Sequence, residues 1–281
     1  MKQSPLPKVE LRDVAPGLWI WRHEHPHWKP GQGWEPIVAS TCVELRGETL
    51  LLDPLAPSEA AAEFWKRLDA RPPTAVVVLK PDHVRDVDLF VRRYNARAFG
   101  PRLFFREDIP KTDLQFIEPG SHLPGGLIAL YDGRGRNETP LWLPEQRTIV
   151  FADALTAPAG ELRVWASPAH YERALPALRA LLDLPFERVI VSHGEPVHTR
   201  AAFERALSLP TWTGYLNKLR FRTSLFNPVV CKCVCCTLAF KCYPPYGLAA
   251  VFQDLPSTRL GDHAPQEKNL LLYSPGDTQL S

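Results

Sequence analysis

The sequence predicts an α/β protein built as a four-layer αββα sandwich with an irregular C-terminal extension. Three observations lead to this fold class. Strands and helices alternate through Gly100, strands dominate from Phe104 to Phe151, and a helix, a strand and a helix follow before residue 209. Blocks of strands with helices on their outer faces are typical of two packed sheets covered by helices. We therefore divide the chain into a domain over 1–209 and an extension over 210–281.

The first half contains the better-defined elements. Residues 10–22 alternate loosely and predict a first strand or hairpin arm. Strands at 37–45 and 49–53 flank the turn Arg46-Gly47-Glu48, and a helix is predicted over 58–68. A β-branched run over 74–79 indicates a buried strand. The apolar spacing over 84–95 predicts the next helix.

The second half is predicted to begin with strands and to end with helices. Helices are expected at 169–182 and 200–207, and a strand at 188–192 lies between them. The five shorter strands that precede them are predicted at 103–105, 114–117, 127–131, 139–143 and 148–151.

Five segments place chemistry-bearing residues at the ends of predicted elements. They are Glu48–Leu55, Leu79–Asp86, Pro119–Gly126, Thr148–Leu155 and Arg188–Pro196. Order and spacing of the five resemble the metallo-β-lactamase superfamily over about residues 10–209. Asp153 and the His193-Gly194 pair are the more specific landmarks, while Asp53 is expected to be structural because it ends a strand beside Pro54.

The second segment departs from the family motif Thr-His-x-His-x-Asp-His. Aligning Leu79 with the motif's Thr places Lys80 and Asp82 at the first two His positions. Val84 then takes the Asp position and Arg85 the last His position. Arginine stays charged and lysine must lose a proton before it can bind zinc. We therefore expect that the usual dinuclear zinc centre has been lost.

A reduced site with one metal ion stays open. His83 and Asp86 share a helical face if the helix has begun there, and the resemblance adds Asp153, His193 and His122 as candidate ligands. Such a set suits Zn, Mn or Fe, although the lost ligands favour the absence of any metal. In the structural alternative, His83 caps the helix and Asp86 pairs with an arginine or the helix N-terminus.

Two cations could replace the metals. Lys80 and Arg85 would put fixed positive charge at the metal positions, where they could hold a carboxylate or phosphate. In a catalytic reading, Lys80 and Arg85 join Asp153 and His193 as the active residues.

The loop over 23–34 is a second candidate region. His23, His25 and His27 alternate, so an extended loop would put all three on one side, where they could bind a metal ion. Trp28 and Trp34 could instead contact the apolar part of a substrate, since the corresponding family loop overhangs the active site. The structural alternative is a surface loop whose aromatic side chains pack on the sheet edge.

Composition narrows the class of protein. The chain has 281 residues, 45% of them hydrophobic and 23% charged, and a net charge of +2. No basic stripe indicates nucleic-acid binding, no apolar run is long enough to span a membrane, and the N-terminus lacks the apolar core of a signal peptide. We expect a cytoplasmic protein whose partner is a small-molecule or anionic ligand.

The extension differs in character from the preceding domain. Five of the six cysteines lie between Cys231 and Cys242, without the paired spacing of zinc modules. The residues beyond them have little periodicity and are predicted to be poorly ordered.

Two functions follow from the sequence. One is a divergent metallo-β-lactamase-like hydrolase with at most one metal ion, acting on an ester, thioester or amide. The alternative is a non-catalytic protein of the same fold that binds a small anion or a protein partner in the former active-site cleft.

Overall fold

The computed structural model describes residues 9–105, 108–134, 138–214 and 270–272. The elements of its first half are β1 (Glu10–Ala15), β2 (Leu18–Glu24), β3 (Ile37–Leu45), β4 (Glu48–Leu52), α1 (Ala62–Ala70), β5 (Ala75–Val77), α2 (Val87–Tyr94), β6 (Arg97–Gly100), β7 (Leu103–Phe105) and β8 (Gln115–Phe116). Those of the second half are β9 (Ile128–Ala129), β10 (Leu141–Leu143), β11 (Thr148–Val150), β12 (Leu155–Thr156), β13 (Arg163–Val164), α3 (Leu175–Ala180), β14 (Arg188–Ile190), β15 (Val197–Thr199), α4 (Arg200–Ala206) and β16 (Leu270–Leu272).

Two sheets form the body of the fold. The first has seven strands in the order β1-β2-β3-β4-β5-β6-β8, antiparallel from β1 to β4 and parallel from β4 onward. The second has five strands in the order β15-β14-β11-β10-β9, in which β14 and β11 are parallel. The antiparallel pairs β12–β13 and β7–β16 lie outside these two sheets.

Alternation along the strands produces three apolar layers. Leu50 and Leu52 of the first sheet share a core with Leu141 of the second, so the sheets pack face to face. The intervening Leu51 faces outward onto α1 and α2. In the second sheet, Ile149 faces α3 and α4. These layers confirm the predicted αββα sandwich.

The helix boundaries differ from the prediction for local reasons. Helix α2 begins at Val87 rather than residue 84, because Arg85 has φ +47° and cannot continue a right-handed helix. The helix predicted over 169–182 is divided into a π-turn at His170–Ala174, α3, and a 3₁₀ turn at Leu181–Asp183. Pro176 lacks the amide that would bond to the preceding turn, so a regular α-helix cannot run through it.

The strand directions concentrate functional groups at one edge. Parallel strands β4, β5, β11 and β14 end just before Asp53, Lys80, Asp153 and His193 respectively. Carboxyl ends of parallel strands are the usual place for ligand sites in α/β proteins. Both sheets therefore contribute to a shared cluster of side chains.

The C-terminal extension is described at residues 210–214 and at β16, which pairs antiparallel with β7. The cysteines between Cys231 and Cys242 lie outside the described residues. The predicted domain boundary at 209–210 and the predicted disorder stay predictions. Among the described helices, none has both the length and the apolar character needed to cross a membrane.

Candidate active site

Asp153 lies at the centre of the cluster, directly after β11. Its Oδ2 is 2.5 Å from Lys80 Nζ, and its Oδ1 is 3.2 Å from His193 Nε2 and 3.4 Å from His83 Nε2. Oδ1 is buried and makes no aligned hydrogen bond within the described part of the chain. The two oxygens therefore face different partners: Oδ2 faces an ammonium, and Oδ1 faces two imidazoles.

The buried Lys80 ammonium forms ion pairs with two carboxylates. Its Nζ is also 2.5 Å from Asp82 Oδ2, whose side chain is 38% exposed. Burial alone would lower the pKa of Lys80, but Asp153 and Asp82 outweigh that effect and raise it. Burial likewise opposes ionisation of Asp153, and the charges of Lys80 and His83 nevertheless hold its pKa well below the usual range. The contact is therefore an ammonium–carboxylate pair.

His83 is oriented by a second carboxylate. Its Nδ1 lies 2.8 Å from Asp53 Oδ2, while Asp53 Oδ1 accepts a hydrogen bond from the Leu79 amide at 2.7 Å. Burial would lower the pKa of His83, but Asp153 and then Asp53 overcome it and raise this pKa to about 9. His83 is thus protonated at neutral pH when no metal is bound.

His193 differs from His83 in its electrostatics. It follows β14, and burial lowers its pKa, so its imidazole is neutral near pH 7. The ring centroid of His193 lies 5.2 Å from that of Trp34 and 5.9 Å from that of Trp165. The two tryptophans come from different loops, so an aromatic wall borders this side of the cluster.

The spacing of His83, Asp153 and His193 fits one metal ion. One ligand atom from each residue lies within 4.8 Å of the others. Ligand atoms at about 2.0 Å from a tetrahedral zinc ion lie about 3.3 Å apart, close to the two distances at Asp153 Oδ1. Asp53 also holds the far nitrogen of His83, as a carboxylate commonly does behind a metal-binding histidine. The donor set and the unsatisfied Oδ1 therefore fit a single divalent metal.

The structure does not bring the other two candidate ligands to this triad. Asp86 precedes α2, and its Oδ2 accepts a hydrogen bond from the Ala56 amide at 2.7 Å. His122 is exposed and forms an isolated β-bridge with Ile128. Because α2 has not begun at His83, the condition that would put His83 and Asp86 on one helical face is not met.

Arg85 contacts backbone oxygens at the site. Its Nη1 donates to Asp53 O at 2.7 Å and Ala39 O at 3.0 Å, and it lies 3.3 Å from Ser40 Oγ. Burial lowers the pKa of its guanidinium despite nearby aspartates. Arg85 therefore links β3 to the strand end at Asp53, beside the triad.

The loop over 23–34 contacts the cluster through Trp34, and it brings the ring centroids of His25 and His27 within 5.7 Å of each other without forming a three-histidine group in the described part of the chain. His23 is buried, with its ring nitrogens 3.0 Å from Glu24 O and 3.2 Å from Leu55 O. His25 contacts the ring of Trp34 at 5.3 Å. Trp28 Nε1 donates to Trp34 O at 2.9 Å, so Trp28 supports the loop that carries Trp34.

A buried network that sequence reasoning missed holds Asp153 in place. Glu138 Oε1 accepts hydrogen bonds from the Ala152 and Ala154 amides at 3.1 and 3.0 Å, and Oε2 accepts from the Asp153 amide at 3.0 Å. Arg134 donates to Asp153 O at 2.7 Å and also pairs with Glu138. Both side chains are completely buried. This network fixes the backbone from which the Asp153 carboxylate projects.

Local sequence contained little signal for this network. Arg134 follows Asp132-Gly133, a pattern typical of an exposed turn. Asp132 nevertheless pairs with Arg134 Nε at 2.9 Å, and burial first and Glu138 second raise the pKa of Asp132 to about 7. Only the burial of Asp132, Arg134 and Glu138 beside the Asp153 turn reveals its role.

Comparison with known proteins supports the fold. No protein-family model and no curated protein sequence matches the chain. Among solved structures, a metallo-β-lactamase from Pontibacter korlensis is 16% identical, with a TM-score of 0.52 over 72% of this chain and 98% of that chain. The FIM-1 metallo-β-lactamase from Pseudomonas aeruginosa, in its mono-zinc form, is 19% identical, with a TM-score of 0.54 over 72% and 94%.

A metallo-β-lactamase from Erythrobacter litoralis, crystallised with β-mercaptoethanol in its active site, is 18% identical, with a TM-score of 0.54 over 72% of this chain and 95% of that chain. Identities this low establish architecture and leave the reaction open. The two facing sheets, their outer helices and these neighbours together show that the chain has the metallo-β-lactamase fold.

Proposed function

We propose that this protein is a hydrolase in which one metal ion and the Lys80 ammonium replace a pair of metals. The proposal rests on the two carboxylate oxygens of Asp153, which face different partners. Oδ2 pairs with Lys80, and Oδ1 faces the corner between His83 and His193. In the family that the sequence resembles, an aspartate at this point bridges two metals. Here a fixed side-chain cation takes one of the two places.

His83, Asp153 and His193 would hold the metal. A bound divalent ion in such a site supplies Lewis acidity and an activated water. Lys80 keeps Asp153 ionised, Asp53 orients His83, and the Glu138 network holds the turn that carries Asp153. The proposed substrate is a small ester, thioester or amide.

Charge balance supports one metal rather than two. Lys80 pairs with Asp82 and Asp153. The protonated His83 lies between Asp53 and Asp153. A metal bound at His83 Nε2 must displace the proton of that residue, because a histidine ligand must be neutral. A second divalent ion would have to displace Lys80, whose ammonium both neighbouring carboxylates stabilise.

The same balance favours a second candidate function. Carboxylates that are already paired with side-chain cations can persist without metal, which is compatible with a non-catalytic protein that binds a small anion or a protein partner. The two functions differ in whether the triad binds metal. The proposed cytoplasmic location is compatible with either.

The test is metal binding by the full-length protein, measured by elemental analysis and by titration of chelator-treated protein with Co²⁺. We expect one equivalent at the triad, with absorption from nitrogen and oxygen ligands, and its loss in Asp153→Ala and His193→Ala. The matched control is His122→Ala, which removes an exposed histidine outside the triad. Thiolate charge-transfer bands would identify binding by cysteines instead.

Failure of the triad to bind Co²⁺ or Zn²⁺ would refute the hydrolase proposal and favour the non-catalytic function. Equal loss of metal in His122→Ala would also contradict it. If the triad binds metal, metal-dependent cleavage of a 4-nitrophenyl ester should disappear in His193→Ala.

A further inference from the structure

Arg85 differs from the other cations of the site in having no acidic partner. Within the described residues, no carboxylate oxygen lies within 4.0 Å of its guanidinium, whereas Lys80 has two such partners and Arg134 has two. Burying a guanidinium without a counter-ion is costly, and the cost falls when an anion pairs with it. The position of Arg85 therefore favours a negatively charged ligand.

The hydrogen bonds of Arg85 to described residues are all made at one corner of its guanidinium. All three bonds to described residues are made by Nη1. Nε and Nη2 have no such bond, and the residue is partly exposed. An arginine edge with two parallel N–H donors matches the geometry of a carboxylate.

Backbone contacts link the Arg85 guanidinium to the strand that carries His193. Arg85 bonds to Ala39, whose amide donates to Ser192 O at 2.9 Å, and the neighbouring Val38 bridges to His193. The ring of His193 in turn contacts Trp34 and Trp165. A ligand at Arg85 would thus have the metal triad and an aromatic wall close by.

We propose that Arg85 binds the carboxylate of a small-molecule ligand whose apolar part lies against Trp34 and Trp165. The Nε and Nη2 groups donate to its two oxygens, and the indoles cover its apolar part. That this ligand is the substrate rests on the proposed hydrolase function. Carboxylate binding itself requires no metal.

The test uses full-length, chelator-treated protein titrated with benzoate, with uncharged benzamide as the shape-matched control probe. We expect benzoate to bind at least tenfold more tightly than benzamide and to shift the ¹⁵Nε resonance of Arg85. Arg85→Gln keeps an amide donor for the backbone oxygens and should weaken benzoate binding at least tenfold. Arg92→Gln, at an exposed arginine of α2, is the matched variant and should leave binding unchanged.

Equal binding of the two probes, or binding that leaves the Arg85 resonance unmoved, would overturn the proposal. The resonance is measured in the unmodified protein, so this test stands even if Arg85→Gln does not fold. Metal binding without benzoate binding would retain the hydrolase function and refute the carboxylate site. Benzoate binding without metal binding would do the reverse.

Discussion

Replacing Lys80 by methionine should destabilise the metal-free protein by about 3 kcal/mol, within the range of about 3–5 kcal/mol for breaking a buried ion pair. The Lys80 side chain is 4% exposed and that of Asp153 is 14% exposed, so removing the ammonium leaves a largely desolvated carboxylate oxygen. Methionine keeps most of the side-chain volume, so little of the cost comes from a cavity. The protonated His83 next to Oδ1 partly compensates, which favours the lower value.

The assay is urea unfolding of chelator-treated protein followed by tryptophan fluorescence. Lys66→Met is the matched control, because Lys66 is exposed on α1, and it should change the free energy of unfolding by no more than about 0.5 kcal/mol. Combining Lys80→Met with Asp153→Asn should cost less than the sum of the two single changes by at least about 1 kcal/mol, because the unpaired charge is then gone. A loss below about 1 kcal/mol for Lys80→Met, or additive effects, would refute the assignment of Lys80 as the counter-ion of Asp153.

Three further predictions follow from other parts of the site. The pKa of His83 is raised from 6.5 to about 9 in the folded state, so its stabilisation is complete below pH 6.5 and is lost as pH rises toward 9; the free energy of unfolding should fall by at most about 3 kcal/mol over this window, and His83→Gln should flatten the profile in pH-dependent urea unfolding. Glu138→Gln should weaken Co²⁺ binding about 10–100-fold in titrations because the Asp153 turn loses one of its two acceptor oxygens to an NH₂ donor, whereas equal weakening in the exposed control Glu145→Gln would contradict this reason. Gly194→Ala should destabilise the protein far more than Gly160→Ala in thermal unfolding: both glycines have φ above +80°, but an added Cβ would lie 2.1 Å from a backbone oxygen at Gly194 and meets nothing within 4 Å at Gly160, so similar losses would show that only φ matters.

Much of the fold was accessible from local patterns. The β-branched run before Lys80 indicated a buried strand, and residues 75–78 are completely buried in the structure. Element boundaries were less accessible. The start of α2 depends on the positive φ of Arg85, which is set by contacts with β3 and Asp53 and has no local sequence signal.

The residues of the candidate site could be predicted from the sequence, but the contacts between them could not. Lys80 and His83 were identifiable because they follow a predicted strand, at an edge where ligand sites are expected. Asp153 and His193 were identifiable because the segments that carry them resemble those of the family. The contacts that these residues make with one another were not identifiable. Side-chain directions in the folded protein decide whether Lys80 contacts Asp153 and whether Asp86 reaches the triad.

By itself, the sequence determined the αββα class, the strand ends that carry reactive groups and the loss of the usual metal-binding motif, because periodicity and residue chemistry are local properties. Only the tertiary structure decided that Lys80 contacts one oxygen of Asp153 while His83 and His193 face the other. It also decided that Glu138 and Arg134 lie buried beside Asp153, and that Arg85 has no acidic partner within 4.0 Å among the described residues. Those facts depend on how two separate sheets meet, and residues 73 positions apart along the chain come within 2.5 Å only after they have packed.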